Sequence, residues 1–418
     1  MTLDDLRRMV RSIRTGKPER DFHWRTTAIL DQGTLGEACL ALDGLGRGLA
    51  LWENDGGLWS MPVGSGTAPA LMLYPMGEGT SPRLRLNPAG RGIALWLTTE
   101  GAEQRIQGRN LGGEEEEGHR IFQTTGRIHH LQSVVDRRGN ALVVWLHEWD
   151  GSFEVLAQAF DVRALSWEQE PRLLSTPGTL PMEPRIAVNN REQAMVLWEV
   201  QNESFEGLMA SHYWPADRIW SDRPVPVVAH ATCQHQVVMD DLGNALAVWI
   251  KAASAQRSCL EASCYDAQLG EWQDPVILAE APSISPPRLV MAGNGEALAA
   301  WCQGESHGAS RLFAKSFAGG QWESQSVTLD GGQGPVLDFA IALDPQAKAG
   351  LLSVHHGPEG SWVSARLRHR AWSAPRRLAS ASRSPCSSPR LGFSAQGVSA
   401  LWIQGEGRDK SLILTETR

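Results

Sequence analysis

The sequence predicts an all-β fold made of eight copies of one four-stranded unit that close into a ring. Three observations predict it: a strand-like segment ending in Trp recurs along the chain, each copy has the length of four short strands, and a second Trp recurs between the copies. The 418 residues include 17 Trp against 3 Tyr and 9 Phe, together with 42 Gly and 23 Pro. This composition excludes a disordered chain, a collagen-like fibre and a coiled coil.

The first repeated feature is an apolar segment such as GNALAVW or GEALAAW, whose last residue we call the anchor. The eight anchors are Trp52, Trp96, Trp145, Trp198, Trp249, Trp301, Ser353 and Trp402. They are 44 to 53 residues apart, which fits four strands of five or six residues and four turns. The period predicts an eight-bladed β-propeller with four-stranded antiparallel blades. Seven blades preceded by an irregular unit are the alternative, because the first interval is the shortest.

The second repeated feature is a Trp on the predicted outer strand, in contexts such as EWQDPVIL. These residues are Trp167, Trp220, Trp272, Trp322 and Trp372. Trp24, in HWRTTAIL, has the same context but precedes the first anchor. We therefore expect the N-terminal segment to supply the outer strand of the last blade, which closes the ring without a broken edge. Thirteen Trp then occupy repeat positions, and we expect them to pack between blades.

The sequence divides into two predicted regions. Residues 20–418 are predicted to form the propeller, and residues 1–19 a basic amphipathic helix or arm. In the short region Leu3, Leu6 and Val10 recur at helical spacing, and Arg residues occupy much of the remaining surface. Such a helix would dock a partner or a membrane surface, or it would pack on the propeller.

Composition also limits the compartment and the partners. No apolar run reaches the length of a membrane span, and the N-terminus has no signal-peptide core, so we expect a cytoplasmic protein. The net charge of −8 argues against a nucleic-acid binder. Six Cys are too few for a disulfide framework and are expected to be reduced thiols. No cofactor and no metal are expected.

Over residues 20–418 the chain resembles the broad class of Trp-containing bacterial β-propeller repeat proteins, with no characterised family matched. The resemblance implies the fold and leaves the function open, because propellers serve as scaffolds, lectins, hydrolases, lyases and redox enzymes. Eight-bladed quinoprotein dehydrogenases carry Thr-Gly four residues before their repeated Trp, whereas Gly243 here stands six residues before Trp249. The Ser-x-Asp-x-Gly-x-x-Trp turn of sialidase-like propellers is absent from the sequence.

The loops between the second and third strands carry the first candidate site. They are expected on the face where propellers usually bind ligands, and they are acidic around most of the ring, at Asp55, Glu100, Glu148, Asp150, Glu203, Glu305, Glu359 and Glu406. Trp149 stands outside the repeat pattern in one of these loops and would form an interaction hot spot if it is exposed. The predicted partner-binding residues are Trp149, Glu148, Asp150, Glu203, His355 and His356. The alternative is a Trp folded onto its own blade among ordinary solvated loops.

A second candidate site lies at the start of the innermost strands. Pro-Arg recurs in the even-numbered blades at Arg83, Arg185, Arg288 and Arg390, and the equivalent positions of blades 3 and 5 are Gln132 and Gln236. If these strands line the channel, the guanidinium groups would converge at its mouth and bind a carboxylate or a phosphate. Alternatively, each Arg pairs with a carbonyl or an acid of the neighbouring blade.

Two functions of different kinds follow from these sites. The first is a non-catalytic scaffold that binds another protein through the acidic loops. The alternative is a propeller that binds, and in one version hydrolyses, an anionic small molecule or glycan at the channel mouth. The sequence contains no Gly-x-Ser-x-Gly, phosphate-loop or zinc-protease motif, so we lean against an enzyme.

Overall fold

The computed structural model describes residues 24–417 apart from 56, 65–68, 75–80, 113–117, 203–204, 255, 305–309, 333, 380–382 and 396. The predicted helix or arm at 1–19 lies outside the described residues. The described chain forms eight antiparallel sheets that are arranged as the blades of a β-propeller. The prediction of eight blades is confirmed, and the seven-blade alternative is wrong, because the first unit forms a complete four-stranded sheet.

The strands are numbered β1 to β37, and blades 1 and 2 have four each. Blade 1 contains β2 (Leu35–Leu42), β3 (Gly48–Asn54), β4 (Gly57–Val63) and β5 (Leu71–Tyr74). Blade 2 contains β6 (Arg83–Leu86), β7 (Gly92–Glu100), β8 (Glu103–Leu111) and β9 (His119–Thr124).

In blades 3 to 6 the outer strand is split into two segments that pair with the same third strand. Blade 3 contains β10 (Arg127–Val135), β11 (Ala141–Trp149), β12 (Ser152–Asp161), β13 (Ser166–Trp167) and β14 (Arg172–Leu173). Blade 4 contains β15 (Leu180–Val188), β16 (Ala194–Gln201), β17 (Glu206–Trp214), β18 (Ile219–Trp220) and β19 (Val225–Val228). Blade 5 contains β20 (Cys233–Met239), β21 (Ala245–Ser254), β22 (Arg257–Asp266), β23 (Glu271–Trp272) and β24 (Val276–Ala281).

The inner strand of blade 6 is split as well. Blade 6 contains β25 (Ser283–Ile284), β26 (Arg288–Met291), β27 (Ala297–Gly304), β28 (Arg311–Ala318), β29 (Gln321–Trp322) and β30 (Val327–Thr328). Blade 7 contains β31 (Val336–Leu343), β32 (Ala349–Gly357), β33 (Gly360–Arg368) and β34 (Arg376–Arg377). Blade 8 contains β35 (Cys386–Ser394), β36 (Gly397–Gln404), β37 (Lys410–Thr417) and β1 (Trp24–Gly33).

The ring closes in blade 8 as the sequence predicts. Strand β1, from the beginning of the described chain, pairs antiparallel with β37 at its end, and Trp24 lies opposite Thr417. Three strands of this blade therefore come from the C-terminal part of the chain and the outer strand from the N-terminal part. The first and last units are joined by a hydrogen-bonded ladder, so neither is left with a broken blade edge.

The anchors form the core between blades. The Trp anchors are fully or almost fully buried, and Trp198 of blade 4 packs with Leu142 and Val144 of blade 3. On the third strands an aromatic residue faces the outer Trp, as in the pairs Phe160–Trp167 and Tyr213–Trp220. The recurring Trp thus fill the wedge between twisted sheets, and the prediction that they pack between blades is confirmed for these residues.

Turns and loops divide between two faces of the ring. We call the face that carries the loops between second and third strands, such as 150–151 and 405–409, the loop face. The opposite face carries the turns between first and second strands, such as 136–140, and we call it the turn face. On the turn face Asp136 accepts hydrogen bonds from the backbone of Arg138 and Asn140, so it stabilises its own turn. The described residues include no helix that could span a membrane.

Candidate functional site

The predicted Arg residues share one position on the inner strands. Each pairs across the ladder with the residue before an anchor, as Arg83 does with Leu95 and Arg185 with Leu197. We call the eight residues at this position the channel ring: Cys39, Arg83, Gln132, Arg185, Gln236, Arg288, Ala340 and Arg390. The inner strands contact one another around the molecule and enclose the central channel. The structure therefore brings the predicted Arg and Gln residues to one level of the channel.

A β-bulge precedes the channel ring in several blades and sets the direction of these side chains. The ladder is shifted between Met182 and Arg185, and Glu183 within the bulge has a positive φ of 46°. His130, Gln234 and Ser388 occupy corresponding places with φ of 51°, 57° and 53°. A bulge re-aims the following side chain, which explains why these positions depart from a regular strand.

Arg83 is engaged by neighbouring blades on both sides. Its Nε donates a hydrogen bond to the carbonyl of Leu131 in blade 3, at 2.9 Å, and its Nη1 lies 2.8 Å from the Glu37 carboxylate of blade 1. The channel-facing edge of an inner strand has backbone carbonyls without a ladder partner, and Arg83 satisfies one of them. This residue therefore follows the structural alternative raised by the sequence.

Arg185 and Arg288 are held more loosely and flank Gln236. Arg185 Nη2 lies 3.5 Å from the carboxylate of Glu183, and its buried Nε finds no hydrogen-bond acceptor among the described residues. Arg288 Nη2 lies 4.0 Å from Asp338 of blade 7 and is about half exposed, at 47%. These distances exceed those of strong charge-assisted hydrogen bonds, so both guanidinium groups keep donor capacity.

Arg390 of blade 8 donates through Nη1 to the carbonyl of Pro389, at 3.0 Å. Within the described part of the chain it has no acidic partner. Two blades further around the ring, Arg85 of blade 2 donates to the carbonyl of Ser133. Arg85 is reached by water yet surrounded by protein, as a group inside a channel should be.

Positive charge accumulates in the channel. Burial lowers the pKa of Arg185, Glu183 opposes that shift, and the positive charges of Arg288 and Arg83 reinforce it. Enclosure by the inner strands likewise lowers the pKa of Arg85, and Arg83 and Arg390 act in the same direction. The guanidinium groups are thus close enough to repel one another. An anion between them would relieve this repulsion.

Several acid–base groups lie beside the channel ring in blades 3 to 5. His235 is fully buried, and its Nδ1 lies 3.0 Å from the carboxylate of Glu199. His129 Nε2 lies 2.9 Å from Glu148, and burial lowers the pKa of the neighbouring His130. The sequence reasoning missed the His235–Glu199 pair. Its signal is the acid directly after the anchor Trp198, at a position that is apolar in most blades.

Trp149 is exposed at the tip of the β11–β12 hairpin on the loop face. Its side chain is 52% exposed, and its ring is nearly parallel to that of His147, with the centroids 6.5 Å apart. The tip residues Asp150 and Gly151 have φ of 48° and 72°, which is the conformation of a tight two-residue hairpin turn. Trp149 and Asp150 are therefore presented to solvent, although one side of the Trp149 ring lies along His147 of its own blade.

The other four predicted partner-binding residues differ in how far they are exposed. Glu148 is half-buried beside His129, and Glu203 lies outside the described residues. His355 is buried because it packs beside Ser353, where the other blades have an anchor Trp, and its ring stacks on Trp362 with centroids 5.4 Å apart. His356 lies 3.0 Å from Ser361 Oγ and is exposed. The structure therefore does not present the His355 ring to a partner.

The described ranges contain no group of three or more His, Cys, Asp or Glu side chains that could hold a metal ion. Gln132 and Gln236 take their predicted places in the channel ring and are half-buried. In the longer inner strands these residues lie near the middle of the strand, because the strand extends toward the loop face before the bulge, so the expected position at the channel mouth is wrong. The candidate site is therefore a polar region inside the channel that is rich in guanidinium groups, with Gln236 between Arg185 and Arg288.

Fold and site together define an eight-bladed β-propeller with a positively charged region inside its channel. No protein-family model and no curated protein matches the sequence. Among solved structures, a protein of unknown function from Dyadobacter fermentans is 10% identical with a TM-score of 0.43, and the alignment covers 70% of this chain and 95% of that one. The polysaccharide lyase Uly1 is 7% identical with a TM-score of 0.47, over 98% and 95% of the two chains. A Trypanosoma rangeli sialidase is 10% identical with a TM-score of 0.39, over 72% and 57%. These similarities concern the fold alone.

Proposed function

We propose that the protein binds an anionic ligand inside its central channel, through Arg185 and Arg288 with Gln236 between them. The observation that supports this most strongly is the buried Nε of Arg185, which has no acceptor among the described residues. A buried donor without an acceptor costs free energy, on the order of 1–3 kcal/mol, unless a ligand or water fills the place. An oxyanion supplies that acceptor.

Charge supports the same ligand class. The chain as a whole carries −8, so its distant field repels anions. Any attraction of an anion to the channel must therefore come from the guanidinium groups inside it. Arg185 and Arg288 are each near one acid, but at 3.5 and 4.0 Å these acids leave the guanidinium forks open. A carboxylate or sulfate can bind such a fork through two parallel hydrogen bonds, which selects anions with paired oxygens. The ligand is accordingly a carboxylated or sulfated small molecule or glycan end.

The test is a calorimetric titration at low ionic strength with two probes, glucuronate and inorganic sulfate. Arg185→Gln/Arg288→Gln is expected to weaken binding by at least about 10-fold, because hydrogen bonds to charged groups contribute on the order of 1.5–3 kcal/mol. Tight glucuronate and weak sulfate binding would identify a sugar acid, and the reverse order a sulfated ligand.

The matched control is Arg172→Gln/Arg223→Gln, which removes two exposed Arg of blades 3 and 4 and makes the same change in net charge. It is expected to bind as the wild type does. Equal binding by the channel variant, or binding of neither probe by the wild type, would contradict the proposal.

A second function, a scaffold for another protein, is supported by the exposed Trp149 at a hairpin tip. Half-exposed Trp side chains on rigid turns are frequent interaction hot spots. The neighbouring Asp150 and Glu148 would favour a partner with a basic surface. This function uses the loop face outside the channel ring, so both functions are compatible in one molecule.

The cytoplasm remains the proposed compartment. All six Cys are free thiols, and three of them, Cys259, Cys302 and Cys386, are buried. Free thiols are typical of reducing compartments. Neither proposal includes a catalytic step.

A further inference from the structure

A second pocket lies on the turn face, on the side of the ring opposite the loop face. It is a cavity of about 550 Å³ between blades 3 and 4, within the size range of small-molecule sites. Its floor includes the buried apolar residues Leu142, Ala159 and Phe160, whereas most of its lining is polar and its rim carries Arg138, Arg163 and Arg191 together with acids. A concave site with convergent charged groups above a small apolar floor can orient a small charged ligand.

The corresponding groove between blades 2 and 3 is much smaller, about 170 Å³. There the Arg91 side chain lies over Gly139, so closely that a Cβ on this glycine would stand 3.1 Å from it. At the larger pocket the residue equivalent to Arg91 is Asn140. Its side chain points back into its own blade, where it donates to Asp136 and accepts from the backbone N–H of Val162. The space between blades 3 and 4 is therefore left open by a change of residue within the repeat.

Two acids at the pocket are fully used by the protein. Asp136 accepts hydrogen bonds from three backbone amides of its turn and from the Asn140 amide. Asp161 accepts two backbone bonds and pairs with Arg218 at 2.8 Å. The oxygens of both carboxylates are thus held by partners within the protein, and within the described residues neither forms an ion pair with Arg163 or Arg191.

Arg163 and Arg191 are exposed at the same rim. Within the described ranges neither has a carboxylate within ion-pair distance. They belong to adjacent blades, since Arg163 follows β12 and Arg191 precedes β16. Two such guanidinium groups on either side of one pocket can bind a single carboxylate.

Glu192 provides a different kind of contact. It has a positive φ of 69° at a turn position where blades 1, 2, 3, 5 and 6 have Gly and blade 7 has Ala347. Its Oε1 pairs with Arg138 Nε at 2.6 Å, and its side chain is 15% exposed. The other carboxylate oxygen is left to accept a hydrogen bond, and burial together with the Asp136 charge raises the pKa of Glu192. Backbone strain retained at a pocket is often associated with function.

We propose that this pocket binds a small hydroxy or amino acid with an apolar substituent. The carboxylate of the ligand lies between Arg163 and Arg191, its adjacent hydroxyl or ammonium donates to Glu192, and its apolar part packs on Phe160 and the neighbouring wall. Each part of the ligand corresponds to one part of the pocket, so each can be removed separately in a test.

The test uses three probes in calorimetric titrations of the full chain. Mandelate carries all three features, phenylacetate lacks the hydroxyl, and glycolate lacks the apolar group. Mandelate is expected to bind at least about 10-fold more tightly than either of the others. Equal affinities for mandelate and phenylacetate, or no binding of mandelate up to about 10 mM, would overturn the proposal.

Variants locate the binding. Arg163→Gln/Arg191→Gln is expected to weaken mandelate binding by at least about 10-fold, whereas Arg172→Gln/Arg223→Gln and the channel variant Arg185→Gln/Arg288→Gln leave it unchanged. Loss of mandelate binding in the channel variant would instead place the ligand in the channel and overturn this second site.

Glu192→Gly tests the donor contact in a variant that should fold, because glycine is the usual residue of this turn. Its unfolding temperature is expected to equal or exceed that of the wild type. It is expected to remove the preference for mandelate over phenylacetate. An unchanged preference would show that Glu192 does not contact the ligand and would overturn its role.

Discussion

The ring of His212 lies at the boundary between blades 4 and 5. It is 8% exposed, and its centroid is 4.4 Å from that of Trp214 and 5.8 Å from that of Tyr265. Both ring nitrogens lack a hydrogen-bond partner among the described residues. Burial lowers the pKa of His212 from 6.5 to about 4, because the charged imidazolium loses its hydration there.

This shift predicts a loss of stability in mild acid. The folded pKa is below the unfolded one, so the unfolded chain binds the proton first as the pH falls. Above about pH 6.5 the neutral His212 does not reduce the free energy of unfolding. As the pH falls from there toward 4, the free energy of unfolding decreases by at most on the order of 3 kcal/mol. His212→Phe should reduce the fall in unfolding free energy between pH 7 and 4.5, measured by urea denaturation.

The exposed His369 supplies the control for this experiment. His369→Phe should keep the pH dependence of the wild type. If His212→Phe also retained it in full, another group would have to cause the acid sensitivity. His147 and His355 also have pKa values that burial lowers, so a part of the dependence should persist in the His212 variant.

Single residues also show where sequence reasoning ends. The repeat places all four predicted Arg at one ladder position, and this much could be predicted from spacing alone. The partners of these Arg residues could not be predicted, because they lie on the inner strand of another blade. Arg83, for example, donates a hydrogen bond to the carbonyl of Leu131, 48 residues later. The burial of His355 follows from the missing Trp at Ser353, which leaves space that the imidazole and Trp362 fill.

At the scale of elements, the β11–β12 hairpin tests the second function. Trp149 is expected to lie in any protein interface that uses the loop face, since half of its surface is free for contact. Trp149→Ala should weaken capture of a crosslinked partner by roughly 10-fold or more, as hot-spot truncations do. Trp214→Ala, which changes a partly exposed Trp on the turn face, should leave the capture unchanged.

The outcome against this function is equally specific. Crosslinks that map only to the turn face, or equal capture by both Trp variants, would remove the β11–β12 hairpin as a docking element. Because Trp149 is the half-exposed last residue of β11, beside a tight turn, its replacement should not change the unfolding temperature by more than a few degrees.

The elements differ in how far the sequence predicts them. Four strands per blade and the pairing of β1 with β37 follow from the two Trp periods. The inner-strand bulges do not, because the residues with positive φ, His130, Glu183, Gln234 and Ser388, share no residue type. Their conformation is imposed by packing neighbouring inner strands around the channel, which a local pattern does not contain.

At the scale of the whole molecule, one proposed site lies inside the channel and the other opens on the turn face of the same closed ring. The chain carries −8, yet both sites collect guanidinium groups that are not fully neutralised by nearby acids. Ring closure makes this possible, since it brings blades distant in sequence to one channel, and the innermost edges face each other. Composition alone predicts an acidic protein and gives no sign of these local positive regions.

The central claim is that Arg185 and Arg288 hold an anion inside the channel. Anomalous diffraction from crystals grown with selenate, a heavy analogue of sulfate, locates such an anion directly. We predict an anomalous peak within hydrogen-bonding distance of both guanidinium groups, which disappears in Arg185→Gln/Arg288→Gln and persists in Arg172→Gln/Arg223→Gln. Peaks elsewhere on the protein, with none beside Arg185 and Arg288 in the channel, would contradict the claim.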